Sequence, residues 1–420
     1  MKKNAYFLIL YLVFFVCACG NKGSNETTME QNCDSVSENM ESNKLIELPN
    51  QDNALLYLDA SHSMKGYIAS SKDDRFKNVL SALLYWKDAT HACLFDTCEQ
   101  SKISKEQFVE LVNNRKIDWS DESDLHKMIK TMVDQVNKNK TDIVYLLTDG
   151  IMSGSNKEIR ESINRSFNIT SRGTLTARIA SAVSMAKDDI ALLMIKYTSN
   201  FTGTYYCYTN APKTFTEEAR PFYVIAIGER SLINELIKQV EKNELLMQYN
   251  EILLLGDEYP YDIQFTVEGL GLGSISMKDG KFVLGSTIKN IDSLSLVGNL
   301  SKLPAYMKSN DYFKKNGELY IQYTPKGNFE MLSLDKFSYN IANDQLRITI
   351  PSLYLRQKSV YFRLKYNLPG WIDSTSCDDD ANIITQTLVP KTFNLKYFVK
   401  GLGKINKEEY ITKIDTLTFK

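Results

Sequence analysis

Histidine is scarce: only His62, His91 and His126 occur among 420 residues, which argues against a multi-histidine metal centre. None of the seven cysteines falls in a Cys-x-x-Cys pattern, so a zinc ribbon or thioredoxin-like redox site has no support. Neither sign of charge dominates. Fifty Lys and Arg face 51 Asp and Glu for a formal net charge of -1, and no global field draws the chain to nucleic acid. No Gly-x-Ser-x-Gly elbow is present, which removes one common hydrolase signature. Gly269-Leu270-Gly271-Leu272-Gly273 is rich in glycine but lacks the lysine of a phosphate-binding loop, and reads as a connection between strands.

What is present is ample for folding. A chain of this length exceeds one ordinary core and predicts two or three domains. A composition of 43% hydrophobic and 24% charged residues is that of a soluble globular protein. The start of the chain stands apart. Lys2 and Lys3 precede an apolar run from Ala5 to Ala18, about fourteen residues, too short for a membrane span of roughly twenty. It ends in Val16-Cys17-Ala18-Cys19-Gly20, which resembles the lipobox of bacterial lipoproteins. The resemblance implies removal of residues 1–18 as a signal peptide and a diacylglycerol on Cys19, with Cys17 a weaker competing site. An uncleaved anchor is the alternative, and either outcome leaves the rest of the chain outside the cytoplasm. Gly20, where an aspartate marks inner-membrane retention in some lipoproteins, leans toward an outer membrane.

Ser, Asn, Glu and Lys dominate the next stretch, which cannot bury enough surface to offset its ordering entropy. Residues 19–50 are therefore expected to be a disordered tether with a reach of roughly 30 Å. Cys93, Cys98 and Cys207 fall within the domain that follows; with Cys33 and Cys377 they are read as buried or incidental thiols.

From Ala54 onward, strand-like runs alternate with helical periodicity. Leu55–Leu58, His91–Phe95, Ile143–Leu147, Ile190–Ile195 and Phe222–Ile227 predict strands, while Arg75–Trp86, Leu125–Val136, Leu175–Ala186 and Leu232–Val240 have helical spacing. The alternation predicts a doubly wound, Rossmann-like α/β domain over residues 51–245, its buried strands parallel. Asn200-Phe201-Thr202-Gly203 reads as the tip of a hairpin inserted into it. Beyond residue 250 helical periodicity fades. Short strands at Ile263–Val267, Ser274–Leu284, Leu319–Tyr323, Leu346–Ile350 and Val360–Tyr366, with turns at Asp279-Gly280 and Asn343-Asp344, predict a β-rich, sandwich-like region over 250–420, with a long crossover near Leu303 to Lys315.

One motif carries chemistry. Asp59-Ala60-Ser61-His62-Ser63, continued by Met64-Lys65-Gly66, directly follows the first apolar strand. A loop at the carboxyl end of a sheet strand is where open α/β folds collect ligands. One carboxylate and two hydroxyls suit a hard divalent cation. Asp149, in Thr148-Asp149-Gly150, follows another buried strand about ninety residues on. The pattern resembles the metal-ion-dependent adhesion site of von Willebrand factor A (vWA) domains. That resemblance implies Mg²⁺, Mn²⁺ or Ca²⁺ held by Asp59, Ser61, Ser63 and a hydroxyl from an intervening loop, with Asp149 reached through water. The family's loop residue is commonly threonine. Here Glu122-Ser123-Asp124-Leu125 matches, so Ser123 takes that place and Ser120 is the lesser candidate. The family leaves one coordination position for an Asp or Glu carboxylate of a partner protein.

Taken singly, the same residues have plainer readings. Ser61 and Ser63, or Ser123 and Asp124, also suit helix caps, and Asp149-Gly150 suits a strand-end turn. His62 reads as an exposed loop residue and Asp378-Asp379-Asp380 as a solvated acidic loop. A phosphatase of the haloacid dehalogenase type needs Asp at position 61, which is Ser. The expectation is a non-enzymatic, envelope-anchored lipoprotein that binds another protein through a metal. Its rivals are a metal-independent assembly subunit of an envelope complex and, with no catalytic pair in view, a hydrolase in the β-rich region.

Overall fold

The computed structural model describes residues 54–418, apart from 70–74, 89–90, 96–99, 121–122, 153–168, 208–210, 257–262, 264, 269–274, 279–280, 285–292, 302, 304, 323–327, 333, 352–358 and 407–409. The expected signal peptide, lipidation site Cys19 and tether lie outside these residues, as does the glycine run at 269–273.

The first half is a mixed α/β structure. Its elements in chain order are β1 (Ala54–Asp59), α1 (Lys65–Ala69), α2 (Arg75–Tyr85), β2 (His91–Phe95), β3 (Gln100–Ser104), α3 (Lys105–Asn113), α4 (Leu125–Lys138), β4 (Ile143–Thr148), α5 (Ile169–Val183), β5 (Ile190–Tyr206), β6 (Pro212–Glu229), α6 (Arg230–Lys242) and β7 (Glu251–Leu255). The seven strands lie in the order β3-β2-β1-β4-β6-β5-β7. β1 is central, and its side chains alternate between two cores. Ala54, Leu56 and Leu58 face α2, α3 and α6, whereas Leu55 and Tyr57 face α4 and α5. Every residue of β1 and β4 is buried, as two-sided coverage of a strand demands.

The sheet is not parallel throughout. β1 pairs parallel with β2 and β4, but β6 runs antiparallel to β4, and β5 and β7 continue antiparallel. No helix separates β5 from β6, so the chain returns beside itself as a hairpin, and a hairpin can only be antiparallel. Its arms of 17 and 18 residues greatly exceed the six of β4. They run on past the carboxyl end of β4, because β4 pairs only with Tyr223 to Gly228 of β6.

Asn200-Phe201-Thr202-Gly203 is accordingly not a hairpin tip. It lies inside β5, marked by a register shift between Ser199 and Phe201, and β5 runs on to Tyr206 before β6 starts at Pro212. Burial keeps the strand going: Phe201 and Tyr205 are enclosed by the core, and the Phe201 ring packs edge-on against Tyr67 at 5.2 Å. Gly66 makes this approach possible, since a Cβ there would stand 2.2 Å from the Phe201 ring. Close packing of the hairpin, rather than a turn into α1, is what requires glycine.

Beyond residue 260 the strands form a six-stranded and a four-stranded sheet, both largely antiparallel. They share one apolar core, with Leu319, Phe362 and Leu364 from the first and Leu294, Leu296, Leu346, Ile348 and Ile350 from the second. Asn343 and Asp344 both have positive φ, 51° and 58°, as a two-residue hairpin turn between Ser338–Ala342 and Gln345–Pro351 requires. The stretch near Leu303 to Lys315 holds a short 3₁₀ turn and the helix Asn310–Asn316. The chain then comes back to the α/β body. Trp371, Ile372, Leu395, Phe398, Val399 and Leu402 belong to the same core as α4 and α5, and Thr176 on α5 donates to the carbonyl of Tyr397 at 3.0 Å.

Candidate metal centre

Asp59 ends β1, and its carboxylate is wholly buried. Oδ1 accepts the Ser61 N–H at 3.1 Å; Oδ2 accepts the hydroxyls of Ser123 and Thr148, each at 2.8 Å. Ser61 and Ser63 share a hydroxyl hydrogen bond of 3.1 Å. Ser63 also donates to the Asp149 carboxylate, whose Oδ1 accepts the Ile151 N–H at 3.1 Å. All five residues of the sequence motif therefore meet at one point, at the carboxyl ends of β1 and β4.

The loops that bring them there have separate local causes. Ser120 donates its N–H to Ala60 O at 2.7 Å and accepts the His62 N–H at 2.8 Å. This tacks the segment before α4 onto the motif loop and leaves the Ser123 hydroxyl to reach Asp59. Asp124, not Ser123, caps α4 through a bond from the Lys127 N–H at 3.2 Å, and it also pairs with Arg178 at 3.3 Å. Gly150 has φ of 75°, a conformation glycine adopts without penalty, and its N–H returns to the Thr148 hydroxyl at 3.0 Å. Thr148 thus orients Asp59 while closing the Asp149 loop. The sequence signal for this role is its place beside Asp149.

His62 is half-buried rather than exposed, with its ring edge-on to Tyr206 at 6.3 Å between centroids. The Asp378-Asp379-Asp380 run is solvated only in part: Asp379 is exposed, but the other two are engaged. Asp380 is fully buried and accepts the hydroxyl of the buried Tyr205, while Asp378 pairs with Lys396 and Arg172. The β5–β6 hairpin supplies the tyrosine that draws Asp380 inward, a contact invisible to local sequence. Cys207 and Cys377 are buried. Burial foremost, helped by Asp380, pushes the Cys377 thiol up to about 12, so it remains protonated and inert.

Electrostatically the site is short of positive charge. Burial foremost, then the negative charge of Asp149, pushes Asp59 up to about 7, against the lowering pull of Thr148, Ser123 and Ser61. Asp149 is also raised by burial, opposed by Ser63 and by Arg220. Arg220, on β6, is 1% exposed. Among the described residues at this end of the sheet, the buried carboxyl groups of Asp59, Asp149 and Asp380 face one buried cation, Arg220, an imbalance that a divalent cation would relieve. Among the described residues the other buried carboxylate, Asp142, lies at the far end of β4 and accepts hydrogen bonds from Gln135 and Asn139.

The donor set fits a hard cation: carboxylate and hydroxyl oxygens with no sulfur or imidazole. Neighbouring ligands of an octahedral magnesium ion stand about 3.0 Å apart, and the 2.8 Å and 3.1 Å contacts among Asp59, Ser123, Ser61 and Ser63 are of that size. Among the described residues no three His, Cys, Asp or Glu side chains group as a metal cage; a cation held at Asp59 would take most of its protein ligands from hydroxyls. Compared with protein-family models, with curated proteins and with solved structures, the chain matches none.

Proposed function

We propose that the α/β half is a vWA-like module that binds another protein through a divalent cation, Mg²⁺ or alternatively Mn²⁺ or Ca²⁺. One observation carries this reading: the buried Asp59 carboxylate gathers an N–H from its own loop and hydroxyls from the segment before α4 and the end of β4. Asp59, Ser61, Ser63 and Ser123 would hold the cation, with Asp149 beside it. A carboxylate of the partner would take the remaining position. The order β2-β1-β4 with helices on both faces supports the family resemblance; the β5–β6 hairpin is a departure from a parallel, doubly wound sheet. The lipobox-like start supports an envelope-anchored lipoprotein, outer-membrane in a Gram-negative cell. The reading is of a binding protein rather than an enzyme.

The test is thermal unfolding of residues 45–420 in EDTA, Mg²⁺, Mn²⁺ or Ca²⁺, alongside Asp59→Ala. A ligand at a hundred times its dissociation constant adds about 2.7 kcal/mol. A rise in midpoint that the variant loses supports the site; the absence of any shift at millimolar metal ends the metal reading. A second reading, a metal-independent assembly subunit, is favoured by a specific feature: Asp59 already has donors on both oxygens without a cation. Association with envelope extract that persists in EDTA would support it.

A further inference from the structure

Three buried groups behind the metal loops lie outside the motif: Arg220, Tyr205 and Asp380. The Arg220 guanidinium lies over the Tyr205 ring, 4.7 Å from its centroid, and the Tyr205 hydroxyl donates to Asp380 Oδ2. Arg220 Nη1 donates to the carbonyls of Val389 and Lys391, each at 2.9 Å. Its Nη2 is buried without a hydrogen-bond partner among the described residues.

The topology sets this cluster against the candidate centre. Thr148 is opposite Tyr223 in the β4–β6 ladder, so Phe222, Pro221 and Arg220 continue β6 past the end of β4, beside the loop that starts at Asp149. The Lys391 carbonyl held by Arg220 is adjacent to Thr392. That residue bonds the Tyr223 hydroxyl at 2.9 Å, and its methyl is 3.5 Å from where a Gly150 Cβ would be. Short parallel pairing of Ser376–Cys377 with Thr392–Phe393 closes the segment between them into a loop.

We infer that Arg220 and Asp380 are outer charges of the metal centre, with opposite effects on its affinity, and that the 376–393 loop is thereby part of that centre. The inference rests on the metal reading above. Arginine keeps its charge in any protein setting, so a buried guanidinium on the part of β6 that runs past Thr148, next to the loop that begins at Asp149, would oppose an incoming cation. Asp380, bonded to the Tyr205 hydroxyl, offsets that charge. In a low-dielectric interior such charges act on one another without touching. Neither residue need coordinate the cation, and both are positioning residues acting through Asp149 and Tyr205.

The measurement is Mn²⁺ binding by electron paramagnetic resonance on residues 45–420, comparing wild type, Asp380→Asn and Arg220→Met. Asp380→Asn preserves an acceptor for Tyr205 and should weaken Mn²⁺ binding several-fold. Arg220→Met keeps apolar bulk and should tighten it by a factor of about five to ten, within the usual range of coupling between sites. Should Arg220→Met fail to fold, Asp380→Asn alone decides, with Arg220→Lys expected to bind as wild type does. Equal affinities, or weakening by both Asp380→Asn and Arg220→Met, would overturn the inference while leaving the metal site standing. Failure of the wild type to bind Mn²⁺ would overturn the metal reading and this inference with it.

Discussion

The Asp59 carboxylate and the Thr148 hydroxyl meet at 2.8 Å across 89 residues of chain. The contact follows from sheet order: β1 and β4 are parallel neighbours, Leu58 opposite Leu147, so both strands end at one level. The residues that follow them share one polar pocket over an apolar sheet. A buried carboxylate is costly unless it is bonded or neutralised, and Thr148 supplies part of that satisfaction.

Asp59→Asn tests the electrostatics of the pocket. Burial and Asp149 hold Asp59 up to about 7, whereas in an unfolded chain it titrates near 4. Between these values the folded protein retains a proton that the unfolded chain releases. This group's contribution to stability therefore falls as pH rises from about 4 to about 7, then levels off. In EDTA, subtracting the variant's midpoint from that of wild type should give a difference that declines over this window. At pH 8 the variant should be at least as stable as wild type, yet gain nothing from Mg²⁺. A difference that climbs with pH would contradict the assignment.

Thr148→Val should destabilise the fold by about 1–3 kcal/mol, the cost of leaving a buried polar group without its partner. Two bonds are lost, to Asp59 and from the Gly150 N–H. Denaturant midpoints at constant slope would register the change. Ser123→Ala removes one donor to Asp59 and should also diminish the metal-induced rise in midpoint. Ser120→Ala, which retains both backbone bonds to the motif loop, should leave that rise in place.

Gly66→Ala should cost about 1–3 kcal/mol through overpacking, because the added methyl meets the Phe201 ring at 2.2 Å. Combined with Phe201→Leu, much of the loss should return, a non-additivity diagnostic of direct contact. If the double variant is merely the sum of the two single ones, the hairpin does not pack on α1 in this way.

Phe398→Ala probes the returning C-terminal helix. Phe398 is buried in the core of α4 and α5, so truncation should cost about 3–5 kcal/mol. Near-UV circular dichroism and chemical unfolding should show the α/β half losing stability, although the substitution is over two hundred residues away in sequence from α4 and α5. A loss confined to the β-rich half would show that the two do not share this core.

Much of the fold is legible along the chain, for reasons that are local. Ile143–Leu147 is uniformly apolar because it is covered on both faces, and Leu125, Met128, Ile129, Met132, Val133 and Val136 form one helical stripe because one face is buried. Asp59, Ser61, Ser63, Ser123 and Asp149 were likewise legible, since each sits where a strand or loop ends and a polar side chain is otherwise unexpected. The direction of β6 was not. Its apolar pattern is the same whichever way it runs, and only the absence of a crossover helix makes it antiparallel. The extent of β5 was hidden as well, because Asn200 and Gly203 have the composition of a turn while Phe201 and Tyr205 are retained by tertiary burial.

By itself, then, the sequence determined the layered α/β pattern, the β-rich second half and the oxygen-bearing motif, all of which depend on side-chain periodicity or neighbours a few residues apart. Only the tertiary structure decided that Thr148 holds Asp59, that Asp380 is buried and that Arg220 stands behind Asp149. Those relations join residues 71 to 175 positions apart, and they arise where strand ends, a long hairpin and a returning C-terminal segment exclude water from the same few polar groups.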